Sequence, residues 1–207
     1  TGDMAADDLT NAIDQINDAT LNNNTIFTIG TGSTITGNGS NFTELLTDET
    51  NSQISITDQA IIVNDSITVD SANLLEQTTT GVVTASIINT ESITELKTLT
   101  NNNNNNAYTI VIAETTVSAT DLTDIYGKTT IAINASNVTT ITGNKTDVDT
   151  VYNAGNSEIT GLGNENIELS NTNISVSDAN IVAGYTNGAV TATISATNAT
   201  DLDDLIA

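Results

Sequence analysis

The sequence predicts an all-β fold, a parallel β-solenoid built of short repeated coils behind a short N-terminal helix, with tandem β-sandwich domains as the alternative. Three observations lead there. A nonamer recurs with apolar groups at its first, sixth and ninth places, a small residue third and Asp or Asn fifth. Val117 to Ile125 and Ile133 to Ile141 are its clearest copies, and related frames start at Val69, Ile88, Val176 and Ile194. The apolar supply is Ile, Val, Leu and Ala with two Phe, four Tyr and no Trp, which suits a thin core better than a thick one. No proline interrupts the 207 residues, so every strand of a stack keeps its backbone donors.

Taken in order, residues 1–24 read as a helical cap or assembly segment, and residues 25–207 as the β-repeat array with a loop at 101–106. Leu9, Ala12, Ile13 and Ile16 form one apolar helical face, Asp3 suits an N-cap, and Asp7 and Asp8 suit the first turn. Ile26, Phe27 and Ile29 begin the first strand; Ile54 to Ile56 and Ile61 to Val63 follow. Six asparagines, Asn101 to Asn106, mark an excursion between ordered elements. Asp147, Val148, Val151 and Tyr152 allow another short helix. Nonamers pair at separations of 19, 16 and 18 residues (Val69 with Ile88, Val117 with Ile133, Val176 with Ile194), so one coil is expected to take 16–19 residues. Within a coil, Asp or Asn at the fifth place would turn the corner, and Gly81, Gly127 and Gly188 would supply positive φ before the next strand. Asn51 to Ile54 resembles Asn156 to Ile159, and Gly81 to Ile87 resembles Gly188 to Ile194.

Charge narrows the function classes. The formal net charge is −23, from 26 acids against three lysines and no arginine, so neither nucleic acid nor an anionic membrane is expected as a partner. No run approaches a membrane-spanning length. Histidine and cysteine are absent, which removes imidazole triads, thiolate chemistry and disulfides. The acid clusters Asp147/Asp149 and Asp201/Asp203/Asp204 are the candidate metal ligands, for Ca²⁺ if carbonyls converge with them; no other cofactor is expected. Asn-X-Ser/Thr sequons are abundant, and Asn134 and Asn137 lie inside the repeat frame, which favours a structural role for them.

Val117 to Leu122, Asn134 to Gly143 and Ile159 to Glu165 resemble the Thr/Ala/Asn-rich repeat regions of very large secreted or cell-surface proteins of cyanobacteria and related marine bacteria. The resemblance implies an extracellular, cell-surface location, a structural or adhesive role and no catalytic residues. Thr1-Gly2 also resembles Thr142-Gly143, so the chain would begin at a mid-array phase, and Leu202, Leu205 and Ile206 look uncapped. The expectation is a non-enzymatic subunit or segment of a surface filament, sheath or matrix that self-associates head to tail. The alternative is an adhesin segment that binds glycans or another cell surface through exposed loops.

Overall fold

A computed structural model of the chain describes residues 3–18, 26–102, 105–195 and 202–205. The fold is mixed α/β. Among the described residues there are seven α-helices, every strand pair is parallel, and no all-β coil is closed, which overturns both the β-solenoid and the β-sandwich expectations. The chain forms two compact units: Thr1–Glu91 with Thr98–Thr109 and Lys128–Thr130, and Ser92–Lys97 with Ile110–Gly127 and Ile131–Ala207.

The first unit runs β1 (Met4–Ala5), α1 (Ala6–Asp18), β2 (Phe27–Thr28), β3 (Thr34–Gly37), α2 (Gly39–Thr50), β4 (Ile54–Ser55), β5 (Ala60–Ile67), α3 (Val69–Thr78) and β6 (Val83–Ile87). The chain then passes through α4 (Ile93–Leu96), which belongs to the second unit, before β7 (Ala107–Thr109) returns to the first. Its main sheet has the order β1-β3-β5-β6-β7, and β2 pairs with β4. The second unit continues with β8 (Thr116–Ser118), α5 (Ala119–Tyr126), β9 (Ile133–Asn134), β10 (Thr140–Gly143) and α6 (Lys145–Ala154), which ends in a 3-10 turn at Gly155–Ser157. There follow β11 (Ile159–Thr160), β12 (Asn166–Leu169), α7 (Val176–Ala183) and β13 (Val190–Thr191). Its sheet has the order β13-β12-β10-β8, and β11 pairs with β9.

Local chemistry explains the helices that the nonamer concealed. In the Val117 frame, Val117 lies in β8, Ser118 is an N-cap whose hydroxyl accepts from the Asp121 N–H at 3.1 Å, and Leu122 and Ile125 lie one turn apart on the buried face of α5. The fifth-place acid therefore sits in a helical first turn, not at a strand corner. Thr68, Ser92, Asn144 and Ser175 cap α3, α4, α6 and α7 in the same way, and each such cap is worth about 1 kcal/mol. Neighbouring loops satisfy one more donor at each helix start. The N–H groups of Gly39, Val69, Ile93 and Lys145 donate to Asp65, Glu91, Glu114 and Asn171 at 2.7–2.9 Å.

The helices also set the repeat length. Val117 pairs with Ile141, Ile141 with Ile167, and Ile167 with Val190, steps of 24, 26 and 23 residues rather than 16–19. Ile133, the supposed equivalent of Val117, pairs with Ile159 in the smaller β9–β11 ladder. Leu122 and Val138 are both buried, but one lies on α5 and the other on the approach to β10, so they are not equivalent places of successive coils. Ile181 is exposed. Between strands and helices, Ile35, Ile61 and Val83 on the strands and Phe42, Leu45 and Leu75 on the helices are buried in the first unit, as are Val117, Ile141 and Ile167 and Leu122, Val148 and Val182 in the second. Fully burying such side chains contributes about 1.5–3 kcal/mol each.

The two units repeat one another. Thr34 to Asn38 and Thr140 to Asn144 are identical in sequence, stand in β3 and β10, and lead into α2 and α6. A Cβ built on Gly37 would come within 2.9 Å of the Ala6 methyl, and one on Gly143 within 3.2 Å of the Ala119 methyl. Thr79 donates to the Gln59 carbonyl and accepts from the Gly81 N–H; Thr186 does the same with Glu165 and Gly188. Gly81 and Gly188 do not adopt the positive φ expected of them. They are glycines because a Cβ would be driven into the Gln59 and Glu165 carbonyls. Gly127 likewise ends α5 with right-handed geometry.

Asn106, in the asparagine run, is buried: its Oδ1 accepts from Val83 N–H at 2.9 Å and its N–H donates to Asn101. Asn102 donates twice to the buried Glu76 carboxylate. The run anchors the first unit at these positions.

Candidate functional site

Two features of the second unit could bear on function. The first is a polar staple on its helical side. Tyr152 and Tyr185 stack with ring centroids 4.7 Å apart and an interplanar angle of 6°. The Tyr152 hydroxyl donates to the buried Glu165 carboxylate, whose other oxygen accepts from the N–H groups of Gly163 and Asn164. The Tyr185 hydroxyl donates to Asp149 at 3.0 Å, and Lys145 binds Asp149 at 2.5 Å and Asp178 at 3.5 Å. Hydrogen bonding to Asp149 holds the Lys145 ammonium above its ordinary pKa. Burial, then the Asp149 contact, pushes the Tyr185 phenol up. The Ser175 hydroxyl, with help from Lys145, holds Asp178 below the usual carboxylate range. A more firmly protonated lysine is a poorer nucleophile, and the hydrogen bonds and ion pairs of this constellation tie α6, α7 and the approach to β12 together.

Among the described residues the acidic candidates do not converge. Asp147 accepts from Asn144 at 2.6 Å inside the α6 cap, while Asp149 is held by Lys145 and Tyr185. Asp203 and Asp204 are exposed, and Asp201 lies outside the described residues. Among the described residues no group of three or more acids could hold a metal ion. Asn134 accepts from the Ser136 N–H, and Asn137 donates to the Ile112 carbonyl, so both serve the backbone.

No protein-family model and no curated protein matches the chain.

The second feature is the outer face of the last tier. A concavity of about 570 Å³ is lined by Ala179, Ala183, Val190, Ala192, Ile194 and Leu205. Val190, Ala192 and Ile194 repeat Val83, Ala85 and Ile87 of β6, which are buried; here the same side chains are only half-buried. Beside them, Leu202 and Leu205 are 47 % and 40 % exposed. In the first unit, β1 is an edge strand of its sheet, and Met4 and Leu9 are half-buried. Among the described residues neither β1 nor β13 has a strand on its outer side. These surfaces offer apolar area and unpaired backbone groups, the requirements for strand addition. Sequence reasoning found Leu202 and Leu205 but missed β1 and the last tier's unfilled inner row. The likeness of Gly81–Ile87 to Gly188–Ile194 carried that signal.

Among the described residues no helix is long and apolar enough to cross a membrane.

Proposed function

We propose that the protein is a non-enzymatic extracellular structural protein, a subunit or segment of a surface filament, sheath or matrix whose copies join head to tail. The observation that carries this reading is that β1 and β13, each an edge strand of its own sheet among the described residues, are flanked by half-buried apolar side chains. A contact between two different surfaces of identical chains repeats without closing and builds a fibre. The net charge of −23 keeps such a chain dispersed until the ends meet, and suits a solvated surface layer. Negative-stain microscopy of the purified chain over a range of concentration and salt tests it. Linear polymers are expected; particles of single-chain mass under every condition would refute it.

The adhesin alternative has one observation in its favour: Tyr152 and Tyr185 present partly exposed rings beside Asp149 and Lys145. Glycan-array binding lost in Tyr152→Ala, without polymers, would favour it over assembly.

A further inference from the structure

We infer that the surface formed by Leu202, Leu205 and Asp203 is the docking face for α1 of a second copy of this chain, in the manner in which α4 receives α5 within the second unit. The inference rests on the head-to-tail reading above and names its interface.

The internal repeat supplies the template. Leu96-Lys97-Thr98-Leu99 follows β6, and Leu202-Asp203-Asp204-Leu205 follows β13. One hydrogen bond fixes the correspondence: the Asn73 amide of α3 donates to the Thr98 carbonyl at 3.0 Å, and the Asn180 amide of α7 donates to the Asp204 carbonyl at 2.8 Å. Burial then diverges. Leu96 and Leu99 are each 1 % exposed, against 47 % for Leu202 and 40 % for Leu205. The helix that packs on α4 is α5, and Lys97 binds its Asp121 at 2.6 Å and its Asp124 at 3.4 Å.

The counterpart of α5 in the first unit is α1. Met4 pairs with Ile35 as Val117 pairs with Ile141, so Ala6, Asp8, Leu9 and Asn11 stand where α5 has Ala119, Asp121, Leu122 and Asp124. The apolar members of this set are incompletely covered. Val117 and Leu122 are buried, whereas Met4 and Leu9 are half-buried. Among the described residues each surface offers what the other lacks: two largely exposed leucines on one, and the half-buried Met4 and Leu9 on the other. Parallel pairing of β1 alongside β13 is compatible with both sheets, whose ladders are all parallel.

Charge sets the condition for joining. Lys97 is replaced by Asp203, so the internal ion pair to Asp121 becomes Asp203 facing Asp8 between copies. Two like charges across an interface oppose association, and salt screens that opposition within about 10 Å at 0.1 M.

Sedimentation velocity of the wild-type chain, Asp203→Lys and the double variant Leu202→Ser/Leu205→Ser, each over a series of NaCl concentrations, tests the inference. The wild type is expected to associate more strongly as salt rises. Asp203→Lys should associate at low salt with an affinity higher by about tenfold or more, and the serine pair should weaken association at every salt. Both altered leucines are half-exposed, and an unchanged circular dichroism spectrum verifies the fold. Wild-type assembly that neither substitution alters would overturn this interface and leave the head-to-tail reading standing. Sedimentation of all three as single chains at every salt would overturn both.

Discussion

Leu96 and Leu202 occupy equivalent places in the two repeats, yet truncating them should have very different costs. Leu96 is 1 % exposed, so Leu96→Ala removes a nearly complete burial and leaves a cavity under α4, a loss of about 2–5 kcal/mol. Leu202 is 47 % exposed, so about half of its apolar area is already in water and its surroundings can collapse toward it. Half of a full leucine burial is about 1 kcal/mol, and little cavity term is added. The assay is urea unfolding followed by circular dichroism, at a concentration low enough to keep the chains separate. A drop in midpoint several times larger for Leu96→Ala than for Leu202→Ala is expected. Equal costs in separated chains would refute the claim that one leucine is covered and the other waits for a cover. A Leu202→Ala cost that appears only at assembling concentrations would locate the missing burial between copies.

Other consequences follow from particular contacts. Gly188→Ala drives a methyl group toward the Glu165 carbonyl and should destabilise the second unit by about 1–3 kcal/mol, whereas alanine at the exposed Asn187 beside it should cost less; paired denaturation curves read the difference. Ser118→Ala deletes the acceptor for the Asp121 N–H and should cost about 1 kcal/mol, read as a lower urea midpoint, while Ser118→Asp should restore most of it. Hydrogen bonds donated to Asp149 and Asp121 raise Lys145 and Lys97, and burial raises Tyr185. All three contribute stability that is complete below the unfolded values of about 10 and is lost as pH rises through the folded ones. Thermal melts should therefore fall in midpoint from about pH 10 upward, and Lys145→Gln should flatten that fall.

Legibility in the sequence followed the physics of each signal. A helix in the opening segment was readable because its apolar face extends over several turns, and the structure places α1 there. The short helix suggested around Asp147 and Val151 is α6. Helices α3, α5 and α7 were not readable by apolar period, because eight to ten residues place only two or three apolar side chains on the buried face. Their real signal lies in Thr68, Ser118 and Ser175, each followed three residues later by Ser71, Asp121 or Asp178, the spacing of an N-cap and its third helical residue. The register slipped because Ile133-Asn134-Ala135 imitates Val117-Ser118-Ala119 while standing in a different ladder. At the outer face, Leu202 and Leu205 were recognisable as apolar residues near an end. Their equivalence to Leu96 and Leu99 appears only once Asn73 and Asn180 are seen holding the two segments alike.

The chain contains no cysteine, so single reactive groups can be placed at will. Chains carrying Asp8→Cys and chains carrying Asp203→Cys, mixed and treated with a short bismaleimide, test the polarity of assembly directly. Rapid cross-linking in the mixture, with little in either variant alone, is the expected result. Equal cross-linking of Asp203→Cys with itself, or none in the mixture at assembling salt, would contradict the account.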